Sequence, residues 1–326
     1  MIKLFCIETE NTDPWVNLAM EEHLTFREAE GQVILFLWQN AHTVVIGKNQ
    51  DPWTQCRVET MKEEGCRLAR RSSGGGAVYH DLGNLNFSFL ARKEWFDKDR
   101  QTEVILRALQ SLGIRAERNG RNDLTVEGKK FSGHAYTESG PFRCHHGTLM
   151  LEVDREKLGR YLQVSEEKLR SKGVDSVRSR VTNLRDYKPD LSLSELKRAL
   201  KEAFGEVFGG DVIPMEEPRR GDPDLEKRVS KYSSEEWRWG RRIPFDAAYT
   251  SRFDWGEVRA ELSVSGGEIR DCRIHSDALE TEAFPRLEEV LKGQRYERKE
   301  LQRLSRGFPA GSPERETLEM IAGQME

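Results

Sequence analysis

The stretch Arg70-Arg71-Ser72-Ser73-Gly74-Gly75-Gly76-Ala77-Val78-Tyr79 sets two guanidiniums directly before three consecutive glycines and an apolar alternating run. Glycine carries no Cβ and tolerates φ > 0, so a ligand can approach the backbone there and meet its N–H groups. The adjoining arginines add fixed charge and forked donors suited to phosphate or carboxylate. On its own the stretch reads as an anion-binding turn between two strands, with a tight hairpin bearing solvated arginines as the plainer alternative. A P-loop is excluded because no Gly-Lys-Ser/Thr follows. A dinucleotide fingerprint is excluded too: no helical pattern opens after the glycines, and Ala77, Tyr79, Leu85, Phe87 and Phe89 alternate as strand.

Two further stretches carry chemistry. Arg121-Asn122-Asp123-Leu124 leads through the turn Glu127-Gly128 into Lys129-Lys130-Phe131-Ser132-Gly133-His134. A lysine in a Gly-Lys-Lys turn is ordinarily solvated, and Asp123 is either a turn residue or a ligand to a metal or nucleotide. Cys144-His145-His146-Gly147-Thr148 places polar groups at the mouth of a buried strand. Adjacent histidines beside a strand are more often structural, and without partners they are poor zinc ligands.

The elements that must position these residues follow from periodicity. Asp13-Pro14 opens a helix with Val16, Ala19, Met20, His23 and Leu24 at helical spacing, and Ser192 with Glu195 forms a capping box for a helix through Phe208. Val33 to Trp38 and Thr43 to Ile46 are apolar, β-branched runs whose Gln39-Asn40-Ala41-His42 linker reads as a hairpin. Further helical patterns cover 102–112, 155–162 and 166–170. Near the C-terminus Val258, Ala260, Leu262 and Val264 alternate, Gly266-Gly267 turns the chain, and short helices follow. Strands, helices and many tight turns together predict an α+β fold with a largely antiparallel or mixed sheet.

The length of 326 residues suggests about two domains. A net charge of −4, from 52 Lys+Arg against 56 Asp+Glu, argues against nucleic acid as a partner. Cys6, Cys56, Cys66, Cys144 and Cys272 are odd in number and lack any Cys-x-x-Cys pair, which fits reduced thiols in the cytosol. The longest apolar run falls far short of the roughly 18 residues of a membrane span. Glu8, Glu10 and Asp13 stand where a signal peptide would need an apolar core, so a cytoplasmic protein without membrane attachment is expected.

Taken together, Arg70 to Asn84, Gly120-Arg121-Asn122-Asp123-Leu124, Lys130-Phe131-Ser132-Gly133, His145 to Leu149 and Ser176 to Leu184 resemble the lipoate–protein ligase A family, in the family's order. Phe253-Asp254-Trp255-Gly256 looks like the start of its small accessory domain. The resemblance implies a large mixed-sheet catalytic domain related to biotin and lipoate protein ligases over 1–246, and a small α+β accessory domain over 247–326. It implies that lipoate (or octanoate) and ATP, with Mg2+, give lipoyl-AMP and pyrophosphate. The acyl group then passes to a lysine of apo lipoyl domains, in 2-oxoacid dehydrogenase complexes or the glycine-cleavage H protein. By the same resemblance Lys130 is the catalytic lysine, contacting both lipoate and nucleotide. Arg71, Gly76, Ala77, Val78, Tyr79, Asn122 and Asp123 contact ATP, Arg71 and Gly75 contact lipoate, and Asp123 is a candidate metal ligand. A monomer is expected. The lipoyl tail needs an apolar tunnel, for which the early strands are the candidates, and Ser176 to Asn183 has no assigned role.

Three other readings compete with this one. An octanoyltransferase of the same fold needs an activated thiol. The stretch 120–129 before Lys130 contains no cysteine, and Cys144 reads as a small buried residue. A biotin ligase has a different glycine–arginine loop. A non-catalytic binder would be expected to have lost one of Arg71, the three glycines, Asp123 or Lys130.

Overall fold

Val33 to Trp38 is buried throughout, and its alternate side chains enter two different cores. Val33, Leu35 and Leu37 meet Val104, Ile105 and Leu109 of the helix Lys98–Ser111 and Leu196, Leu200 and Phe204 of the helix Leu193–Phe208. Ile34, Phe36 and Trp38 meet Val16, Ala19 and Met20 of the helix Pro14–Arg27. A strand covered by helices on both faces has no polar side, which is why this stretch reads as a continuous apolar run.

The computed structural model describes residues 2–27, 31–120, 122–163 and 181–325. In chain order the strands are β1 (Lys3–Glu8), β2 (Gln32–Trp38), β3 (Thr43–Ile46), β4 (Arg67–Arg70), β5 (Val78–His80), β6 (Asn84–Arg92) and β7 (Glu117–Asn119). They continue with β8 (Asp123–Val126), β9 (Lys129–Ser139), β10 (Phe142–Met150), β11 (Val212–Pro214), β12 (Ala247–Phe253), β13 (Gly256–Ser265) and β14 (Glu268–Ser276). The large sheet runs β11-β1-β2-β6-β10-β9-β8-β7. Strand β1 is parallel to β2 and β11, and the other pairings given are antiparallel, so the sheet is mixed as expected.

One expectation is corrected. Strands β2 and β3 do not form a hairpin. Both edges of β2 are taken, by β1 and β6, and β3 instead lies between β4 and β5 in a separate three-stranded sheet. The linker turns through His42 at φ 43°, a left-handed conformation. The same small sheet rules out the hairpin reading of the glycine stretch, because β3 separates the two strands that flank it.

Other elements lie where expected. The capping box at Ser192 and Glu195 is formed, and the helix ends at Gly209 in the left-handed region. Strands β8 and β9 are joined by Glu127 and Gly128, both at positive φ (51° and 74°), as a two-residue hairpin turn of this hand requires. The helical pattern over 166–170 and most of the 176–183 stretch lie outside the described residues.

By contact density the chain divides into two units: Met1–Val45, Trp53–Ala69 and Val78–Arg238 in one, Ile46–Pro52, Arg70–Ala77 and Trp239–Glu326 in the other. The second unit contains the antiparallel sheet β12-β13-β14. There Val258, Ala260, Leu262, Ile269 and Ile274 pack against Phe284, Leu287, Leu301, Leu318 and Ile321 of three short helices. No helix among the described residues is long and apolar enough to cross a membrane.

Candidate active site

Two sets of site residues are built by different parts of the fold. In the second unit the Arg70–Ala77 loop is wound around its own arginines. The Arg70 guanidinium is buried and donates to the carbonyls of Gly47, Lys48 and Gln50 at 3.2, 2.9 and 2.7 Å. Arg71 is also buried; its Nε donates to Ser73 Oγ and Gly74 O at 3.1 Å each, and its Nη2 to Gly74 O and Gly76 O at 2.6 and 2.8 Å. The arginine pair that the sequence offers to a ligand thus first organises the loop.

Close approach fixes the glycines. A Cβ on Gly74 would lie 2.2 Å from the Ala278 carbonyl oxygen, and one on Gly47 2.3 Å from that of Gly75. Gly75 adopts φ 91° and donates its N–H to Ala278 O at 3.0 Å. Nearby, Asn49 Nδ2 donates to Thr281 O at 2.9 Å, and the Lys48 ammonium pairs with Glu282.

In the first unit Val78 and Tyr79 begin β5. The Tyr79 hydroxyl meets His42 Nδ1 at 3.0 Å and its ring packs on Tyr161, so the side chain is committed to the protein interior. Burial raises its pKa well above the usual phenol range.

The other site residues converge on the β8–β9 hairpin. Lys130 Nζ lies 2.7 Å from Asp123 Oδ1, both side chains about one-third exposed. The register slips between Leu124 and Thr125, so that Thr125 faces Lys130 while Leu124 faces Ser132. This bulge buries Phe131 in the core and leaves Lys130 half-buried beside it, re-aiming the lysine as bulges commonly do next to active sites. The ammonium arches over Gly133, whose missing Cβ would stand 2.9 Å from Nζ and 3.1 Å from Cε. Asn122 donates from Nδ2 to His134 O at 3.0 Å, while its own carbonyl accepts from His134 N–H at 2.7 Å. That two-way clasp fixes the backbone next to Asp123. Arg121 lies outside the described residues.

Behind the hairpin runs a buried polar chain that sequence reasoning missed. His145 Nδ1 meets Gln101 Oε1 at 3.0 Å, its Nε2 meets His134 Nδ1 at 2.9 Å, and His134 Nε2 meets Ser132 Oγ at 3.1 Å. With neutral rings the donors run one way: Ser132 O–H to His134, His134 N–H to His145, His145 N–H to Gln101. Burial, with the charges of Lys130 and Arg118 adding to it, pushes His134 down to about 3; burial and its histidine neighbours hold His145 well below the usual range. Neither imidazole is available to hold a proton near neutrality.

His146 points to the other face of β10, where its Nδ1 meets Glu21 Oε1 at 2.8 Å; Ser88 Oγ donates to the same oxygen at 2.5 Å. Cys144 lies within this buried group, and among the described residues Glu21, Cys144 and His146 are the one set whose potential metal-ligating atoms fall within 4.8 Å of one another. All five cysteines are buried and form no disulfide.

The model of the "Lipoyl protein ligase A/B catalytic domain" matches residues 13–205, and that of the "Bacterial lipoate protein ligase C-terminus" matches residues 243–318. The chain belongs to the lipoate–protein ligase A family. Among solved structures it is similar to the Plasmodium falciparum LipL1 in complex with lipoate, at 26% identity over 98% of each chain with a TM-score of 0.85. It is also similar to the bi-partite lipoate protein ligase of Thermoplasma acidophilum, solved with its E2 lipoyl domain, at 29% identity over 76% of this chain and 100% of that one (TM-score 0.67). A lipoate–protein ligase A bound with ATP matches at 29% identity over 73% of this chain and 98% of that one (TM-score 0.64).

Proposed function

We propose that the protein is an ATP-dependent lipoate–protein ligase that works through lipoyl-AMP, with 1–246 as catalytic part and 247–326 as accessory part. The observation that carries the reading is the Lys130 ammonium, held over Gly133 and 2.7 Å from Asp123. Similar proteins solved with lipoate and with ATP support both substrates. One lipoate carboxylate oxygen attacks the α-phosphorus, the bond to pyrophosphate breaks, and pyrophosphate leaves. The substrate is its own nucleophile, so the protein need only position the reactants and stabilise charge on the phosphoryl oxygens. Lys130 supplies that charge and holds the carbonyl of the mixed anhydride. In the second step an acceptor lysine, in its neutral form, attacks that carbonyl; the C–O bond to AMP breaks and an amide forms.

Arg71 keeps the glycine loop in shape and electropositive, so that it and Gly75 meet the lipoyl carboxylate, and Arg71 with the N–H groups of Gly76, Ala77, Val78 and Tyr79 meets the nucleotide. Tyr79 acts through its backbone, since its side chain is bound to His42. Asn122 acts by holding Asp123. Mg2+ is commonly bound by one or two carboxylates together with substrate phosphates. Asp123 offers one carboxylate, one of whose oxygens is taken by Lys130, and its other oxygen would hold a magnesium ion together with the nucleotide's phosphates, whose charge the ion would neutralise. The acceptors are apo lipoyl domains of 2-oxoacid dehydrogenases and the glycine-cleavage H protein; for the first, support comes from the T. acidophilum ligase, described together with its E2 lipoyl domain.

The test is the intact mass of an apo lipoyl domain after incubation with the protein, lipoate, ATP and magnesium. An ATP-dependent gain of one lipoyl group, lost in Lys130→Ala, is expected. A gain that needs octanoyl-carrier protein instead of ATP, and is lost in Cys144→Ser, would refute the reading in favour of thioester transfer.

A further inference from the structure

The family resemblance assigns no role to the Ser176–Asn183 stretch. Its described end, Val181-Thr182-Asn183, lies against the reactive lysine's own backbone. Val181 forms a parallel bridge with Lys130, and Thr182 N–H donates to Lys130 O at 2.8 Å. This tie comes where it is needed. The pairing of β9 with β10 ends at His134 and Gly147, so on that edge the lysine end of β9 has no strand partner and only β8, on the other edge, still pairs with it. Beyond that point Gly133 N–H reaches Thr148 Oγ1 at 3.3 Å, and Lys130 is held by Thr182.

Thr182 is in turn fixed by one carboxylate. Asp186 Oδ2 accepts from Thr182 Oγ1 at 2.8 Å, from Asn183 N–H at 3.1 Å and from Arg155 Nη1 at 2.8 Å. Asn183 then clasps Val153 in both directions: its Oδ1 accepts from Val153 N–H, and its Nδ2 donates to Val153 O, each at 3.1 Å. Thr182 and Asn183 are buried, so this turn is anchored in the body of the sheet domain. Although burial pushes the Asp186 carboxyl up, its bonds to Thr182, Asn183 and Arg155 outweigh that and hold it below the usual range, as an ionised acceptor.

We infer that Asp186, acting through Thr182, is a positioning residue for Lys130. It locks the 181–186 turn so that the lysine end of β9, paired with β8 alone on its other edge, cannot shift and carry the ammonium away from its place. Displacing a reacting group by about 1 Å costs on the order of a hundredfold in rate. The inference rests on Lys130 being the catalytic lysine, as proposed above.

The experiment measures lipoate-dependent pyrophosphate release by the full chain, with kcat and the two KM values, beside thermal unfolding. Asp186→Ala is expected to lower kcat by about tenfold or more, with KM for ATP and lipoate within about twofold. Asp186→Asn retains an acceptor for Thr182 and Asn183 and is expected to recover most of the rate. A role in stability alone would lower the melting temperature and leave kcat per folded molecule unchanged, and that result would overturn the inference. Should Asp186→Ala not fold, Thr182→Val removes the Thr182–Asp186 bond at nearly equal volume, and wild-type kcat there would overturn it as well. Lys130→Ala separates the two levels. If that variant stays active, the reading of Lys130 fails; if it is inactive while Asp186→Ala is fully active, only the positioning inference fails.

Discussion

Gly133→Ala should uncouple activity from stability. The added Cβ would stand 2.9 Å from Lys130 Nζ and 3.1 Å from its Cε, and 3.9 Å from Asp123 Oδ1. Ordinary contact begins at about 3.4 Å, so the lysine tip must withdraw by about 0.5 Å. Only the end of a flexible side chain has to move, so the fold should barely register the change. Gly133 lies inside β9 and is not among the residues at positive φ, and alanine at such a site gains roughly 0.5–1 kcal/mol from a less disordered unfolded chain. For the reaction the same half-ångström matters. Scaling from about a hundredfold per ångström, it should lower kcat by about tenfold. Pyrophosphate release with saturating lipoate and ATP reads the first quantity, and a urea midpoint reads the second. A variant with full kcat would refute the idea that the ammonium works from its place over Gly133. A variant that unfolds early would show that the tight contact is with something less yielding than a lysine tip.

Gly147→Ala makes the contrast. There the new Cβ would meet the Phe87 ring, in the packed core, at 2.6 Å and the backbone oxygen of Gly133 at 2.8 Å, so a loss of about 1–3 kcal/mol in urea unfolding is expected. Acid should weaken the protein through the buried histidine chain. Burial holds His134 down at about 3 in the folded protein, against 6.5 for an ordinary imidazole, so its contribution is intact above pH 6.5 and shrinks as pH falls. At pH 5 the loss from this one group is about 2 kcal/mol, visible as a lower urea midpoint than at pH 8; equal midpoints would contradict the burial argument. Tyr79→Phe should keep pyrophosphate release within about twofold, because the proposed contact is its backbone N–H; a large loss would assign the hydroxyl a direct part.

Much of this was legible in the residues themselves. Ser192 and Glu195 announce a helix start because their side chains satisfy N–H groups that no helix can satisfy for itself. Gly128 announces the hairpin because its turn needs positive φ. The candidate lysine and aspartate stood out by local context. What stayed hidden depends on partners distant in the chain. Nothing around Val33–Trp38 says that β1 and β6 will occupy both its edges, so the nearest strand in sequence looked like its partner. The Arg70 and Arg71 guanidiniums looked ready for a ligand because the carbonyls that engage them belong to a loop not yet folded. Gln101 gave no signal at all; its meaning comes from His145, 44 residues on. Asn183 carried a faint one, in a motif whose neighbour Lys130 is 53 residues away in the chain, and Asp186, just beyond that motif, carried none.

The bond from Gly75 N–H to the Ala278 carbonyl has a consequence for how the chain is made. The glycine loop emerges from the ribosome early, yet the strand end that meets it lies roughly 200 residues later, and closing so long a loop defers the contact to the last stage of folding. Until the final quarter has been synthesised, three consecutive glycines remain without that partner, a stretch of high entropy. Cutting the chain at 246 would therefore not release a self-sufficient enzyme minus an appendage. It would leave the loop in its nascent condition, and a separately expressed C-terminal piece would have to restore it by binding in trans.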